Sequence, residues 1–126
     1  MKILGIDYGR SKMGLAIANG PLSEPLQVIR YSDTKILVEK LQKIIKDNDI
    51  EKIVVGVSEG KIGEESKKFA SSIQPLIQST IILADETLST QDAQRMSREA
   101  GISQKKRHEM EDAYAACIML QNYLDN

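Results

Sequence analysis

Apolar residues follow two rhythms along the chain, and the changes of rhythm mark out the elements. Lys2 to Tyr8 (KILGIDY) is a short apolar run stopped by Gly9 and a polar turn, and a second run from Met13 to Ala18 follows, which predicts a β-hairpin. Asn19-Gly20-Pro21 is a turn signal, after which Leu26 to Ile29 supplies a third, shorter strand, with Pro25 acceptable only at its start or on a sheet edge. The period then changes. Leu37, Leu41, Ile44, Ile45 and Asn48 recur at helical spacing behind Ser32 or Asp33 as N-cap, which predicts a helix of about four turns. Lys52 to Val57 is apolar at consecutive positions, the pattern of a strand covered on both faces in a parallel sheet, and Thr80 to Ala84 reads the same way. Between them Glu64 to Ile77 returns to helical spacing through Phe69, Ile73, Leu76 and Ile77, with Pro75 kinking or ending the helix. Ser89 opens a polar helix, with Asp92 as a variant of the capping box, ending near Gly101, and Met110 to Leu124 makes the last helix.

The predicted order is strand, strand, strand, helix, strand, helix, strand, helix, helix. A hairpin-connected trio followed by alternating βα units implies an α/β fold with a mixed five-stranded sheet. Three strands form an antiparallel unit, two more run parallel, and helices pack on the sheet. With 126 residues and no repeat or linker-like stretch, the expectation is one domain over 1–126.

Three acids lie where a solvated surface does not require them. Asp7 ends the first apolar run, where strands ordinarily avoid Asp. Glu86 follows Ile81-Ile82-Leu83-Ala84-Asp85 at the exit of a strand, and parallel sheets place ligands at the carboxyl ends of their strands. Asp112 shares a helical face with Ala116 and Leu120, the stripe that should meet the sheet, and Ala113, Ala115 and Ala116 allow a close approach. Taken singly, each is explained as a turn or cap acid. Taken together, they predict three converging carboxylates whose mutual repulsion calls for a divalent cation. Hard oxygen donors without nearby His or Cys favour Mg²⁺ or Mn²⁺, and an open carboxylate site on such an ion suits phosphodiester hydrolysis.

Charge sharpens the substrate side. Lys and Arg number 17 against 18 Asp and Glu, a formal net charge of −1, which excludes a protein that holds nucleic acid by bulk positive charge. A polyanion must be met locally. Arg10 and Lys12 lie in the turn after Asp7, and Lys105-Lys106-Arg107 lie in what reads as a polar loop before Asp112. The aromatics Tyr8, Tyr31, Phe69, Tyr114 and Tyr123 form no stacking platform, so backbone and shape recognition of a structured nucleic acid is expected. His108, the one histidine, is an accessory candidate for moving a proton, against the plainer reading of an exposed loop histidine. Cys117, the one cysteine, excludes an internal disulfide, reads as a small buried thiol, and fits a reducing cytoplasm. No apolar run approaches the ~18 residues of a membrane span, and the N-terminus lacks a signal-peptide pattern, so no membrane association is expected.

Ile3-Leu4-Gly5-Ile6-Asp7-Tyr8-Gly9, then Lys12 and Gly14-Leu15-Ala16, resemble the opening motif of the YqgF (RuvX) family of RNase H-like, Holliday-junction-resolvase-like proteins. Asp85-Glu86-Thr87-Leu88-Ser89-Thr90 with Ala93, then Lys105-Lys106-Arg107, Asp112, Ala115-Ala116 and Leu120-Gln121-Asn122-Tyr123-Leu124, resemble its later motifs in the same order. The resemblance implies an RNase H-like fold and a cytoplasmic, Mg²⁺-dependent nuclease that matures the 5′ end of pre-16S rRNA in ribosome biogenesis. By motif position Asp7, Glu86 and Asp112 are then the metal-binding acids. Lys12 stands where the family commonly has Arg, and Val57-Ser58-Glu59-Gly60 replaces a longer loop, which makes Glu59 a candidate further acid. Two other functions compete with precursor-rRNA cleavage. One is resolution of branched junction DNA by the same residues, the other a non-catalytic module that binds RNA or ribosomal factors.

Overall fold

The computed structural model describes residues 1–85 and 104–126, with residues 104–108 described by backbone alone. Its strands are β1 (Lys2–Asp7), β2 (Lys12–Asn19), β3 (Ser23–Arg30), β4 (Lys52–Val57) and β5 (Thr80–Asp85). They form one sheet in the order β3-β2-β1-β4-β5. The first three pair antiparallel, while β4 pairs parallel to β1 and β5 parallel to β4, which is the mixed sheet expected from the sequence. Pro25 sits in β3, an edge strand, where a residue without an N–H is tolerated, and the pairing with β2 shifts beside it between Leu15 and Ala16.

Helix α1 (Thr34–Asp47) begins where Asp33 accepts a hydrogen bond from the Lys35 backbone N–H at 2.9 Å, and it buries Leu37 and Leu41. Helix α2 (Gly60–Ile73) starts four residues before the expected Glu64 and stops where Gln74–Leu76 tightens into a 3₁₀ turn carrying Pro75. Helix α3 (Gln104–Asp125) starts six residues before the expected Met110. Gln104 to Glu109 contains no Gly or Pro and is rich in good helix formers, so nothing stops the helix there, although the apolar stripe begins only at Met110. Lys105, Lys106, Arg107 and His108 therefore belong to the opening turns of α3 and not to a loop, which corrects the sequence expectation. The polar helix expected from Ser89 to Gly101 lies outside the described residues.

The sheet is filled on both faces. On one, Leu4, Ile6, Met13, Leu15, Ile53 and Val55 pack with Leu37 and Leu41 of α1 and Phe69 and Ile73 of α2. On the other, Ile3, Ala16, Ala18 and Val54 meet Ala116, Cys117, Met119 and Leu120 of α3. The expectation that β5 is covered on both faces fails, since Leu83 is 46% exposed. An apolar run signals burial, but β5 is an edge strand, and position in the sheet order cannot be read from the run itself.

Candidate nucleic-acid site at the carboxyl edge of the sheet

Because β1, β4 and β5 run parallel and β2 runs against them, the last residues of three strands and the first of β2 share one edge. Asp7, Val57, Asp85 and Lys12 are the residues found there. Side chains alternate along a strand, so Asp7 shares the α3 face with Ile3 and Gly5 while Leu4 and Ile6 enter the opposite core. Its antiparallel partner is Gly14. A Cβ on Gly14 would lie 1.9 Å from the Asp112 carbonyl oxygen and 2.8 Å from the Ala113 nitrogen. The backbone of α3 therefore rests directly on β2 at the residue paired with Asp7. Gly5 serves the same approach one turn to two turns further along the helix, where an added Cβ would meet the Leu120 Cβ at 3.0 Å. Asp112 is deep inside α3, eight residues after Gln104, so it is not a helix cap.

Lys12 opens β2 two residues before Gly14, on the same face. Its Nζ lies 3.1 Å from Oδ2 of Asp112, with 42% and 27% of the two side chains exposed. A partly exposed pair of this kind contributes about 0.2–1 kcal/mol. That is too little to position a helix, so the packing at Gly14 sets the place of Asp112 and the ion pair sets the direction of its carboxylate.

The turn after Asp7 is braced from the other side. Arg10 donates from Nε to both carboxylate oxygens of Glu65 on α2, at 2.9 and 3.2 Å. The guanidinium holds the Glu65 carboxyl below its ordinary range, chiefly through that hydrogen bond. The Tyr31 hydroxyl donates to the Gly9 carbonyl. Burial first, and then the neighbouring Tyr8, push the Tyr31 phenol up to about 12. Tyr8 itself packs on Phe69 with ring centroids 5.1 Å apart.

Of the residues singled out from sequence, Asp7, Asp112 and Lys12 are brought to one edge and one face. Arg10 is turned to Glu65 on α2. Lys105, Lys106, Arg107 and His108 lie on α3 between one and two turns before Asp112. Glu59 is the exposed residue preceding α2 and makes no side-chain cap bond. Glu86 lies outside the described residues, directly after the end of β5 at Asp85. Among the described residues no three His, Cys, Asp or Glu side chains converge closely enough to hold a metal ion. Cys117 is buried, its thiol pushed up by burial and lying 3.2 Å from the Ser23 hydroxyl, which makes it a packing residue.

Sequence reasoning missed two things. The pairing of Lys12 with Asp112 joins residues far apart in the chain, although the strand alternation that sets Lys12 on the Gly14 side was available. The importance of Gly14 was also available, because a glycine inside a strand marks a close backbone approach.

The family model described as "RuvX: Holliday junction resolvase" matches residues 1–126. A protein of Bacillus cytotoxicus named "Putative pre-16S rRNA nuclease" is 35% identical over 136 residues, covering 100% of this chain and 99% of its own. Its namesake in Bacillus thuringiensis strain Al Hakam is 33% identical with the same coverage. In structure, Thermus thermophilus RuvC in complex with a Holliday junction substrate superposes with a TM-score of 0.66 at 15% identity, covering 99% of this chain and 95% of that one. The Fowlpox virus resolvase in complex with its substrate Holliday junction DNA does so with a TM-score of 0.64 at 14% identity, covering 99% and 97%. The fold is RNase H-like, of the kind seen in the RuvC resolvases, and with a family match over its whole length the chain belongs to the RuvX family.

Proposed function

We propose that this protein is a divalent-metal-dependent endonuclease that matures the 5′ end of pre-16S rRNA in the cytoplasm. The observation that carries this reading is the contact at Gly14, which sets Asp112 beside the strand position of Asp7 on one face of the sheet edge. The curated relatives' name supplies the substrate. Asp7, Asp112 and Glu86 offer hard oxygen donors, the chemistry suited to Mg²⁺ or Mn²⁺. Such an ion, when bound, would polarise the phosphate and lower the pKa of a water for attack.

The chain's own groups do the rest. The carboxylates of Asp7 and Asp112 orient the site, because one is fixed by the sheet ladder and the other by the helix packed on Gly14. Lys12 beside Asp112, the Lys105-Lys106-Arg107 run earlier on the same helix, and Arg10 on the α2 side of the turn after Asp7 supply positive charge for the phosphates that flank the scissile bond. Purified protein with Mg²⁺ or Mn²⁺ is expected to shorten the 5′ end of precursor 16S rRNA. Asp7→Asn is expected to slow this about a hundredfold or more, since losing even the partners of metal ligands costs 10–100-fold. Precursor left uncut under both metals, or cut equally well by Asp7→Asn, overturns the reading.

A second reading, resolution of branched DNA by the same carboxylates, draws support from the family description and from the resolvase fold. Side-by-side cleavage of a four-way DNA junction and precursor rRNA separates the two, with paired symmetric nicks favouring DNA.

A further inference from the structure

We infer that Lys12 is a built-in counter-cation for Asp112, which pre-orients the carboxylate and competes with the divalent ion for it. The inference rests on the proposed metal role of Asp112 and extends it to the control of metal affinity.

The Lys12 ammonium sits 3.1 Å from Oδ2 of Asp112, the geometry of a direct contact with one carboxylate oxygen. Both groups are held by backbone that cannot easily drift apart. Lys12 is in the β2 ladder opposite Arg30, and Asp112 is on the turn of α3 that rests on Gly14 two residues along the same strand. The pair is also accessible, with 42% of the lysine and 27% of the aspartate side chain exposed, so an incoming cation can reach the carboxylate without unpacking the core. A lysine, unlike an arginine, is a point charge on a flexible four-carbon stem, so its head can swing away while its backbone stays in the sheet. On binding of a divalent ion the ammonium would leave Asp112, whose carboxylate would then be free to help hold the ion. The freed ammonium would remain tethered at the same edge, where it can donate to a phosphate oxygen of the substrate. Arg10 differs in kind, because its acid is Glu65 on α2 and not a candidate ligand.

The test is Mn²⁺ binding, followed by titration calorimetry on the intact protein without nucleic acid. Lys12→Met is expected to bind Mn²⁺ about three- to tenfold more tightly than wild type, the range allowed by loss of a partly exposed ion pair and a nearby like charge. Lys12→Arg retains the charge and holds a carboxylate at least as firmly, so it is expected to bind Mn²⁺ no more tightly than wild type, which a merely structural role for the side chain would not require. If Lys12→Met fails to fold by circular dichroism, Lys12→Gln is measured instead. Unchanged or weaker Mn²⁺ binding by the neutral variant overturns the counter-cation role. If that happens while Asp112→Asn abolishes binding, the metal reading of Asp112 stands. If wild type binds no Mn²⁺, or Asp112→Asn binds as well as wild type, the reading of Asp112 as a ligand fails and the inference fails with it.

Discussion

On the face covered by α1 and α2 the sheet presents Leu4, Ile6, Met13, Leu15, Ile53 and Val55, and on the face covered by α3 it presents Gly5, Gly14, Ala16 and Ala18 around Ile3 and Val54. Bulky side chains hold two helices at a normal packing distance and bury the apolar area that stabilises the domain, at about 1.5–3 kcal/mol per fully buried Leu or Ile. The small residues do the opposite. They sacrifice apolar area to bring the α3 backbone onto the strands, with the Asp112 carbonyl in the space a Gly14 Cβ would fill. Aspartate has a short side chain, so its carboxylate reaches a neighbour on the sheet only if its backbone is brought this close. One face therefore carries stability, and the other gives up part of that stability for the placement of charge.

The sharpest way to break this comparison is to disturb both faces and ask what is lost. Gly14→Ala puts a methyl group against backbone that cannot give way, and is expected to cost about 2–4 kcal/mol in urea unfolding, at or beyond the usual range for overpacking. In the molecules that remain folded it is also expected to slow cleavage, because α3 must lift and carry Asp112 with it. Leu41→Ala on the other face is expected to cost a similar 2–5 kcal/mol by opening a cavity. Its folded fraction should cleave at the wild-type rate. Equal cleavage defects in the two variants would mean the faces do not divide their roles.

A smaller effect is expected at the rim of the bulky face. Tyr31 is packed against that core, donates to the Gly9 carbonyl, and has a phenol pushed up to about 12 from an ordinary 10.0. A pKa raised on folding gives a contribution to stability that is complete below the unfolded value. It is lost as pH rises from about 10 through about 12. Tyr31→Phe should therefore flatten the alkaline limb of the stability–pH curve across that window, while leaving unchanged the Mn²⁺ binding proposed for the carboxylates. An alkaline limb that keeps its slope would show that another group is responsible.

The same contrast explains what was legible in the sequence. Strand β4 matches its expectation residue for residue, because Ile53, Val54, Val55 and Val57, set between charged and polar stretches, have few other readings. The α3 stripe was legible through the spacing of Asp112, Ala116 and Leu120. Helix α2 begins four residues before its apolar spacing predicts, because Gly60-Lys61-Ile62-Gly63 carries two glycines that local pattern counts against a helix, whereas the helix uses both. Gly60 takes a φ of +79°, and Gly63 lies where a Cβ would come within 1.8 Å of the Ser58 carbonyl oxygen. The opening of α3 was missed because a charged helix has propensity without an apolar stripe. The exposure of β5 and the partners chosen by Lys12 and Arg10 depend on which strand lies beside which, and local pattern does not encode that order.

The central claim is that Asp7 and Asp112, brought together by the contact at Gly14, act as one unit. A double-mutant cycle tests it most directly, using the Mn²⁺-dependent rate of precursor 16S rRNA cleavage by wild type, Asp7→Asn, Asp112→Asn and the double variant. The account predicts that each single variant loses about a hundredfold or more and that the double loses little beyond either one. Losses that multiply in the double variant would contradict it, because the two carboxylates would then be acting independently.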